Sequence, residues 1–408
     1  MEKKILVELY DGEDLENIIS LLRGTYSAVT YVYFRYAGEP DKRDCQRLTE
    51  FVRERFGFAP RFLDIPENTI DAALERLGSL AASGFCDIDI TGGSSVFIAA
   101  AGALQMKLGQ ERVGIHEYDV PSGVCVFRRP EQAGGQSPAA DGLSVTELLK
   151  LRGVHVLNGK NDPIRYEMDG ELRGEILRLW ETVRGHLQSW NILSTRPGKM
   201  METWSGLRME KQMSDRQYEH MQPMLDKLAR VGILSGLKPW NRDGTVTVSF
   251  RVDVPQSAYV LYQKGGNLLE LLTCLAVEDS GCFADCCVGL TLDWEDKNGR
   301  GAPGPNNELD VVATRGHIPY FISCKNTGVE NEYLYEIMTM TRHFGGKYAI
   351  PVMVSTAENT PAIRERAKEM GVILLDGVGK LTAEQFERKL HDTLCRAQHV
   401  KRNPVSPG

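Results

Sequence analysis

Short apolar stretches alternate with amphipathic ones along the first third of the chain. In the amphipathic segments apolar residues recur every three to four positions, the period of a helix with one buried face. The predicted strands cover 3–9, 31–36, 61–65 and 87–93, and the predicted helices cover 15–22, 41–56, 69–80 and 94–109. Strands that alternate with helices predict a parallel, doubly wound α/β sheet over about 1–130.

A change of composition follows this domain. Residues 131–142, EQAGGQSPAADG, are rich in Gly, Pro and small residues, which is typical of a surface linker. From 144 to about 232 the pattern is helical. Residues 222–234 followed by 245–254 indicate a helix that leads into strands, as in a winged-helix fragment. Between 196 and 242, nine Lys/Arg stand against five Asp/Glu, which leaves a solvated face and a nucleic-acid track both open.

The last part of the chain returns to a mixed α/β pattern. Helices are predicted at 256–277, 331–344 and 361–370, and strands at 286–293, 308–314, 320–325, 348–355 and 372–375. The expected domains are therefore 1–143, 144–255 and 256–408.

Composition narrows the class of protein. The chain has 408 residues, 42% of them hydrophobic, with a net charge of −7, which excludes a small disulfide scaffold and a polybasic coat. No run approaches the roughly 20 apolar residues of a membrane helix, so no membrane partner is expected and the compartment is predicted to be the cytoplasm. Nine scattered cysteines indicate no disulfide framework, and reduced thiols are expected.

The most informative stretch is NELDVVATRGHIPYFISCKN, 307–326. Two predicted strands joined at Gly316 place Glu308 and Asp310 on one strand and Lys325 on the next. Residues two apart on a strand point to the same face. Carboxylates beside a lysine suit a hard divalent cation and phosphodiester hydrolysis, in which the ammonium stabilises developing charge.

Further acids and thiols surround this stretch. Glu270, on the helix YQKGGNLLELLT, and Asp293, near a strand end, could complete an acidic metal cluster. The cysteines near 282–287 lack the paired spacing of a zinc site, so core positions are favoured. Cys324 is expected to face away from its neighbours Ser323 and Lys325 and to pack in the core.

Two predicted strand ends in the first domain carry residues suited to a ligand. Asp11, Gly12 and Glu13 follow the first strand, while 91–94 follow the fourth at a helix start and comprise Thr91, Gly92, Gly93 and Ser94. Ligand crevices in parallel sheets lie beyond these ends, where glycines and free N–H groups can hold a phosphate. A tight turn with a Ser cap is the other interpretation, and a dinucleotide site is disfavoured because G-x-G-x-x-G is absent.

The C-terminal pattern resembles the PD-(D/E)xK restriction-endonuclease-like superfamily, whose core runs helix, three antiparallel strands, helix, strand. The resemblance implies that Asp310 is the metal-binding aspartate, Lys325 the catalytic lysine and Glu270 the glutamate of the first core helix. One position departs from the family: Ser323 stands where an acidic residue usually precedes the lysine by two, and Glu308 would compensate.

The combination of a Rossmann-like domain carrying TGGSS with a restriction-like nuclease resembles the CARF-domain effectors of type III CRISPR systems, which are prokaryotic. The resemblance implies a homodimer that binds a cyclic oligoadenylate, mainly cyclic tetra-adenylate, through the loops 11–13 and 91–94. It also implies a nuclease that uses Mn²⁺ or Mg²⁺ to cut DNA and possibly RNA.

A second interpretation belongs to another functional class. The chain could be a CARF-linked transcriptional regulator whose winged-helix-like middle region binds DNA while the C-terminal fold is inactive. The serine at position 323 keeps this alternative open.

Overall fold

The structure is a computed structural model. It describes residues 4–127, 142–157, 168–195, 199–203, 206–263, 267–292 and 307–395. Their strands form three sheets of six, four and five strands. In this part of the chain no helix has both the length and the apolar character that crossing a membrane requires.

The first sheet is largely parallel, as the alternation of strands and helices predicts for about 1–130. Its strands are β1 (Lys4–Leu9), β2 (Ala28–Phe34), β3 (Arg61–Ile65), β4 (Phe85–Asp89), β5 (Val113–Asp119) and β6 (Val124–Phe127). They lie in the order β3-β2-β1-β4-β5-β6, and β1 to β5 are parallel. The strand β6 is antiparallel to β5, and neither of these two strands was predicted. Both faces of the central strand β1 are buried, since Leu6 and Val7 belong to different core clusters.

Four helices cover this sheet: α1 (Ile19–Arg23), α2 (Lys42–Phe56), α3 (Ile70–Ala81) and α4 (Ser95–Leu108). The helix α1 is shorter than the amphipathic run predicts. Asp11 donates its backbone N–H to the side-chain oxygen of Asn17, and the Asn17 amide donates back to the Asp11 carbonyl. These hydrogen bonds close 11–17 into a loop, so the helix begins only at Ile19.

The middle region contains more sheet than expected. Its elements are α5 (Val145–Leu151), α6 (Gly170–Val183), α7 (Leu187–Thr195), β7 (Lys199–Thr203), β8 (Gly206–Ser214), α8 (Asp215–Arg230), β9 (Leu234–Arg242) and β10 (Thr245–Val252). The strands form an antiparallel sheet in the order β7-β8-β10-β9, with α8 between the two hairpins. The helix α8 followed by the hairpin of β9 and β10 is the local order that the sequence predicts, and a winged-helix assignment of this region stays a prediction.

The helix α5 joins the two outer domains instead of packing with the rest of the middle region. Glu147 forms an ion pair of 2.9 Å with Arg55 of α2. The backbone N–H of Val145 donates to the Asp285 carboxylate of the C-terminal domain. The helix α5 is thus attached both to the first domain and to the C-terminal domain.

The C-terminal domain has the predicted element order. It comprises α9 (Val260–Gln263), α10 (Asn267–Asp279), β11 (Asp285–Leu292), β12 (Asn307–Arg315), β13 (Ile318–Lys325), α11 (Asn331–Gly345), β14 (Ile350–Ser355), α12 (Pro361–Met370), β15 (Ile373–Leu375) and α13 (Ala383–Leu394). The first three strands pair antiparallel, and β13, β14 and β15 are parallel. The helix α13 was not predicted; it packs against α10 and α6.

The cysteines depart from one expectation. Cys286 and Cys287 are buried in β11, as core positions should be. Cys282 and Cys395, however, are joined as a disulfide between residues 113 positions apart, so the prediction of reduced thiols throughout is wrong for this pair. Spacing along the chain could not reveal it, because Cys395 follows a helix that the pattern did not predict.

Candidate functional site

Asp310 occupies the point where two strands of the C-terminal sheet separate. The pairing between β12 and β13 ends at Val311 opposite Ile322. Oδ2 of Asp310 accepts hydrogen bonds from the backbone N–H of Cys324 at 2.6 Å and from the hydroxyl of Ser323 at 3.1 Å. The carboxylate is therefore oriented by β13, the strand that carries Lys325.

The electrostatics of Asp310 are those of a confined carboxylate. Burial raises its pKa above the ordinary value, while the Cys324 N–H and the Lys325 charge act in the opposite direction. Nζ of Lys325 lies 4.7 Å from the centre of the Tyr333 ring on α11, a cation–π distance. The ammonium is thus held near Asp310 by an aromatic face.

Ser323 fills the position where the related superfamily has an acid. Its hydroxyl donates to Asp310, so it orients the carboxylate without adding negative charge. Cys324 points the other way, as predicted: its sulfur lies 3.6 Å from the Thr273 hydroxyl on α10. Burial and the nearby charges of Asp310 and Glu270 raise the Cys324 pKa well above its usual value, which argues against a nucleophilic thiolate.

Two of the other predicted acids act electrostatically on this centre. Glu270 is half-buried on α10 and close enough to Cys324 to affect its pKa. Glu308 is exposed opposite Thr291 and raises the pKa of Asp310 through its charge. Asp293 lies outside the described residues.

Carboxylate oxygens are the donors that Mg²⁺ and Mn²⁺ prefer, so Asp310, Glu270 and Glu308 fit such an ion in chemistry. They do not form a preformed cluster. Among the described residues, the trio with potential ligand atoms all within 4.8 Å of one another is Cys282, His391 and Cys395. The role of Asp310, Glu270 and Glu308 as metal ligands stays a prediction.

The middle region borders this site. Asn191 on α7 donates its side-chain amide to the backbone carbonyl of Asn326, the residue after Lys325, at 3.2 Å. Trp180 on α6 donates its ring N–H to the carbonyl of Leu381 at 3.1 Å. The middle region is therefore anchored beside the candidate catalytic strand.

At the other candidate site, Thr91 and Ser94 both serve the local structure. The Thr91 hydroxyl donates to the Asp89 carboxylate and accepts from the Tyr118 N–H at 2.9 Å. The Ser94 hydroxyl accepts from the Phe97 N–H and caps α4. The Ser cap of the alternative interpretation is thus present, and contact of this loop with a phosphate stays a prediction.

Gly92 allows two carboxylates from the first loop to approach. A Cβ atom at position 92 would lie 2.5 Å from Oδ2 of Asp11 and 2.9 Å from Oε2 of Glu16. Only glycine leaves this space without displacing the side chains. The two predicted loops, 11–13 and 91–94, are therefore in direct contact. Gly12, in the first of them, is exposed.

Asp11 and Glu16 share this confined space with opposite pKa shifts. Burial and the hydrogen bond with Glu16 raise the pKa of Asp11 to about 8, so Asp11 is largely protonated at neutral pH. Burial acts in the same sense on Glu16, but hydrogen bonds from Asp11, Lys347 and Tyr348 outweigh it and lower the Glu16 pKa. The pair therefore carries close to one negative charge.

The partners of this acidic loop come from the C-terminal domain and, in the case of Arg152, from the end of α5. Nζ of Lys347 lies 2.8 Å from Oε1 of Glu16, and the Tyr348 hydroxyl donates to the same oxygen. The backbone N–H of Lys347 donates to Glu13, and Arg152 lies 3.6 Å from the Glu13 carboxylate. Glu13, predicted as a ligand residue, is thus placed at a contact between domains, and its role as a ligand contact stays a prediction.

A row of buried polar residues beneath the loop 91–94 was not predicted. Tyr31, Glu8, Asp89 and His116 are direct neighbours across β2, β1, β4 and β5. Glu8 is 3% exposed and neither of its carboxylate oxygens has a hydrogen-bond partner. Burial, with the charges of Asp89 and Asp11, raises its pKa far above the usual range, which favours the neutral carboxyl.

Ser20 on α1 completes this buried row. Its hydroxyl donates to Asp89 at 2.5 Å and lies 2.7 Å from Nε2 of His116, whose Nδ1 lies 3.0 Å from Asp87. The spacing is that of a nucleophilic triad, but the Ser20 proton goes to a carboxylate and the side chain is fully buried. The network instead holds Asp89, which in turn holds Thr91.

One sequence signal could have revealed this network. The motif DIDI places Asp87 and Asp89 on the same face of a strand predicted to be central in a parallel sheet, where both faces are buried. Buried carboxylates require partners. Their partners Ser20 and His116 lie 69 and 29 residues away, and no local pattern identifies them.

Comparisons with known proteins agree with this architecture. Residues 259–392 match the family model described as Card1-like, endonuclease domain. A search of curated proteins by sequence finds no match.

Solved structures extend the likeness to the whole chain. Protein VC1899 from Vibrio cholerae has a TM-score of 0.70 at 16% identity, over 95% of this chain and 97% of that one. Can2 from Sulfobacillus thermosulfidooxidans, solved with cyclic tetra-adenylate, has a TM-score of 0.60 at 16% identity, over 96% and 99%.

A type III CRISPR defence DNA nuclease activated by cyclic oligoadenylate has a TM-score of 0.52 at 15% identity, over 98% of this chain and 53% of that one. At these identities the likeness concerns the fold. The expected resemblance to CARF-linked nucleases is confirmed as a resemblance: residues 259–392 match a Card1-like endonuclease domain, and the fold of the chain is similar to that of Can2.

Proposed function

We propose that this protein is a metal-dependent endonuclease of type III CRISPR defence, active in the prokaryotic cytoplasm and switched on by a cyclic oligoadenylate. The observation that carries the proposal is the placement of Asp310 and Lys325 on adjacent strands of a domain whose sequence matches an endonuclease family. A lone Asp and Lys pair would be weak support; the matching strand order makes it strong.

The described side chains divide the chemistry of phosphodiester cleavage. Asp310, held by Ser323 and Cys324, would bind the cation together with Glu270 and Glu308. Lys325, held over Tyr333, would stabilise the negative charge that develops on the phosphate. A bound Mn²⁺ or Mg²⁺ supplies a Lewis acid and an activated water. The raised pKa of Asp310 fits this role, because a nearby dication favours the ionised carboxylate.

The activator in this proposal is cyclic tetra-adenylate, and the support is the fold shared with Can2, which was solved with that molecule. The loops 11–13 and 91–94 would contact it. A two-fold symmetric ring needs two equivalent half-sites, so we propose a homodimer. Sedimentation of the protein at micromolar concentration, with and without the ring, checks this part; a monomer in both conditions contradicts it.

The contact between Glu16 and Lys347–Tyr348 offers a route from the first site to the second. Lys347 and Tyr348 lie between α11, which carries Tyr333 beneath Lys325, and β14, which pairs with β13. A ligand that displaces Asp11 or Glu16 would change this contact and bias the position of α11. Allosteric coupling requires such differential contacts between two states.

A transcriptional regulator with an inactive nuclease fold is the alternative, and one surface favours it. The hairpin of β9 and β10 exposes Lys238, Trp240 and Arg242, and the Trp240 side chain is 51% exposed. Basic residues around an exposed aromatic ring are suited to nucleic acid. The same hairpin would also serve a nuclease that must hold its substrate, so it does not by itself separate the two functions.

A plasmid-nicking assay separates them. Supercoiled DNA is incubated with the protein and Mn²⁺, with and without cyclic tetra-adenylate, and again with excess EDTA. The proposal predicts nicking that needs both the metal and the ring. Specific DNA binding without any nicking favours the regulator, and cutting that is undiminished in EDTA contradicts the metal assignment. A single-stranded RNA in parallel reports the substrate preference.

A further inference from the structure

A cluster of soft ligands lies outside both candidate sites. Potential ligand atoms of Cys282, His391 and Cys395 all lie within 4.8 Å of one another, and each side chain is only partly buried. Sulfur and imidazole nitrogen are the donors that zinc prefers. The exposure of all three residues gives a cation access to the cluster.

The fold builds this cluster from two segments that are distant in sequence. His391 and Cys395 are four residues apart at the end of α13, so they share one helix face. Cys282 lies in the short connection between α10 and β11. Arg315, the last residue of β12, donates to the carbonyls of Leu394 and Cys395 at 2.9 Å, which fixes the end of the helix against the sheet.

The state of the other cysteines bears on what this cluster does. Seven cysteines among the described residues are free thiols. The Cys274 thiol donates a hydrogen bond to the sulfur of Cys286 at 3.0 Å, and the two residues are not joined by a disulfide. A chain with this many free thiols is typical of a reducing compartment, where the Cys282–Cys395 disulfide seen in the structure would open to two thiols.

His391 adds a third potential ligand to the two cysteines, and its Nδ1 lies 3.6 Å from the Asp392 carboxylate. A disulfide uses two sulfur atoms, whereas the third member of the cluster adds a nitrogen donor of the kind that completes a zinc site. Partial exposure of the sulfurs makes the bond accessible to a reductant. These observations favour a metal for the reduced protein.

We propose that Cys282, His391 and Cys395, in the reduced protein, bind one Zn²⁺ that fixes α13 to the connection before β11. The two thiols each release a proton on binding, and the imidazole binds in its neutral form, so no electrons are transferred. Water would fill the remaining position of a tetrahedral site. The ion would stabilise the packing of α13 on α10, the helix that carries Glu270, without joining the cleavage chemistry.

The test uses the full-length protein, kept reduced with a phosphine and stripped of metal with a chelator that is then removed. Co²⁺ alone serves as the probe, because thiolate ligands give it an intense near-ultraviolet charge-transfer band. Zn²⁺ then displaces it, and elemental analysis gives the bound equivalents. We expect one equivalent per chain and a higher Tm with zinc than without.

Three variants locate the site. Cys282→Ser and Cys395→Ser should lose the thiolate band, and His391→Ala should weaken zinc by at least about 10-fold, the lower bound for losing an orienting partner of a metal site. Cys45→Ser, which removes a half-buried thiol on α2, is the matched control and should bind as the wild type. Thermal unfolding of each metal-free variant is compared with that of the metal-free wild type. An equal Tm shows that the variant has lost the ion and not its fold.

Two results would overturn the proposal. One is a reduced wild-type protein that takes up no stoichiometric zinc or cobalt. The other is a site that persists in Cys282→Ser. Mass spectrometry that finds the Cys282–Cys395 disulfide intact in reducing buffer, with no metal bound, establishes a structural disulfide instead. Nicking plays no part in these readouts, so their outcome is independent of the proposed nuclease activity.

Discussion

The two candidate sites are built from similar residues in different ways. Each contains a carboxylate with a lysine nearby, Asp310 with Lys325 and Glu16 with Lys347. In the nuclease domain Asp310 and its partner Cys324 are 14 residues apart. In the first domain, Glu16 of the loop 11–17 and its partner Lys347 are 331 residues apart and belong to different domains. The pairing of Asp310 with the strand of Lys325 is a property of one hairpin, whereas the pairing of Glu16 with Lys347 exists only in the assembled chain.

This difference also assigns different roles to the charges. Asp310 lies beside a lysine, in a place where a cation would stabilise its ionised form. Asp11 shares a confined space with Glu16 and remains largely protonated at neutral pH, since its pKa is raised to about 8. The site around Asp310 is thus suited to binding a cation. In the loop 11–17, the charge of the Asp11 and Glu16 pair depends on the residues that contact it.

The largest expected effect is at Asp310. Asp310→Asn keeps the shape of the side chain and removes the charge that would bind the cation, so nicking should fall by at least about 10²-fold. The rate is measured on supercoiled plasmid with saturating cyclic tetra-adenylate and Mn²⁺. Asp226→Asn, on the exposed side of α8, should nick as the wild type. Full activity in Asp310→Asn contradicts the site assignment.

The next effect concerns the ligand loop. Gly93→Glu adds bulk and negative charge where a phosphate should approach, so binding of the activator and activation should both be lost. Gly93→Ala is the milder comparison, because its Cβ would lie 3.2 Å from the Ile90 carbonyl and from Phe97 and Ile98 side-chain atoms. We expect it to weaken binding only partly. Calorimetry with cyclic tetra-adenylate gives both affinities, and a fully responsive Gly93→Glu shows that the sensor lies elsewhere.

A smaller effect is expected at the contact between the domains. Lys347→Ala removes the ammonium from Glu16, and the stimulation of nicking by the activator should fall by about 5-fold, the lower end of common allosteric couplings. The ratio of nicking rates with and without activator is the measurement. Lys368→Ala, exposed on α12, controls for loss of positive charge. An unchanged ratio in Lys347→Ala removes this contact from the coupling.

The smallest effect is on stability. Asp11 has a pKa of about 8 in the folded chain and about 3.9 when unfolded, so its stabilising contribution is present below about pH 4 and is lost as the pH rises through 8. Between pH 6 and pH 9 the wild-type Tm should therefore fall more than the Tm of Asp11→Asn, in which this titration is absent. Thermal unfolding at several pH values measures both slopes; parallel slopes contradict the shifted pKa.

How far the sequence predicts the structure follows from the same contrast. The alternation of strands and helices in the first domain is a local pattern, and it predicts a parallel sheet but neither its strand order nor β5 and β6. The neighbourhood of Asp310 and Lys325 follows from one short hairpin, which is also local. The contacts of Glu13 and Glu16 with Arg152 and Lys347 depend on how domains pack, so no spacing predicts them. Ser323 illustrates the limit within one site: its departure from the family was visible, but its hydrogen bond to Asp310 was not.

The central claim is that binding of the activator and cleavage reside in separate, coupled sites. Lys325→Ala tests it most directly, because it removes the ammonium that would stabilise the reacting phosphate and leaves the first domain unchanged. Binding of cyclic tetra-adenylate by calorimetry and nicking of supercoiled DNA are measured on the same preparation, beside the wild type. The predicted result is wild-type affinity for the ring with no detectable nicking. Continued cutting by Lys325→Ala, or loss of its affinity for the ring, would contradict the account.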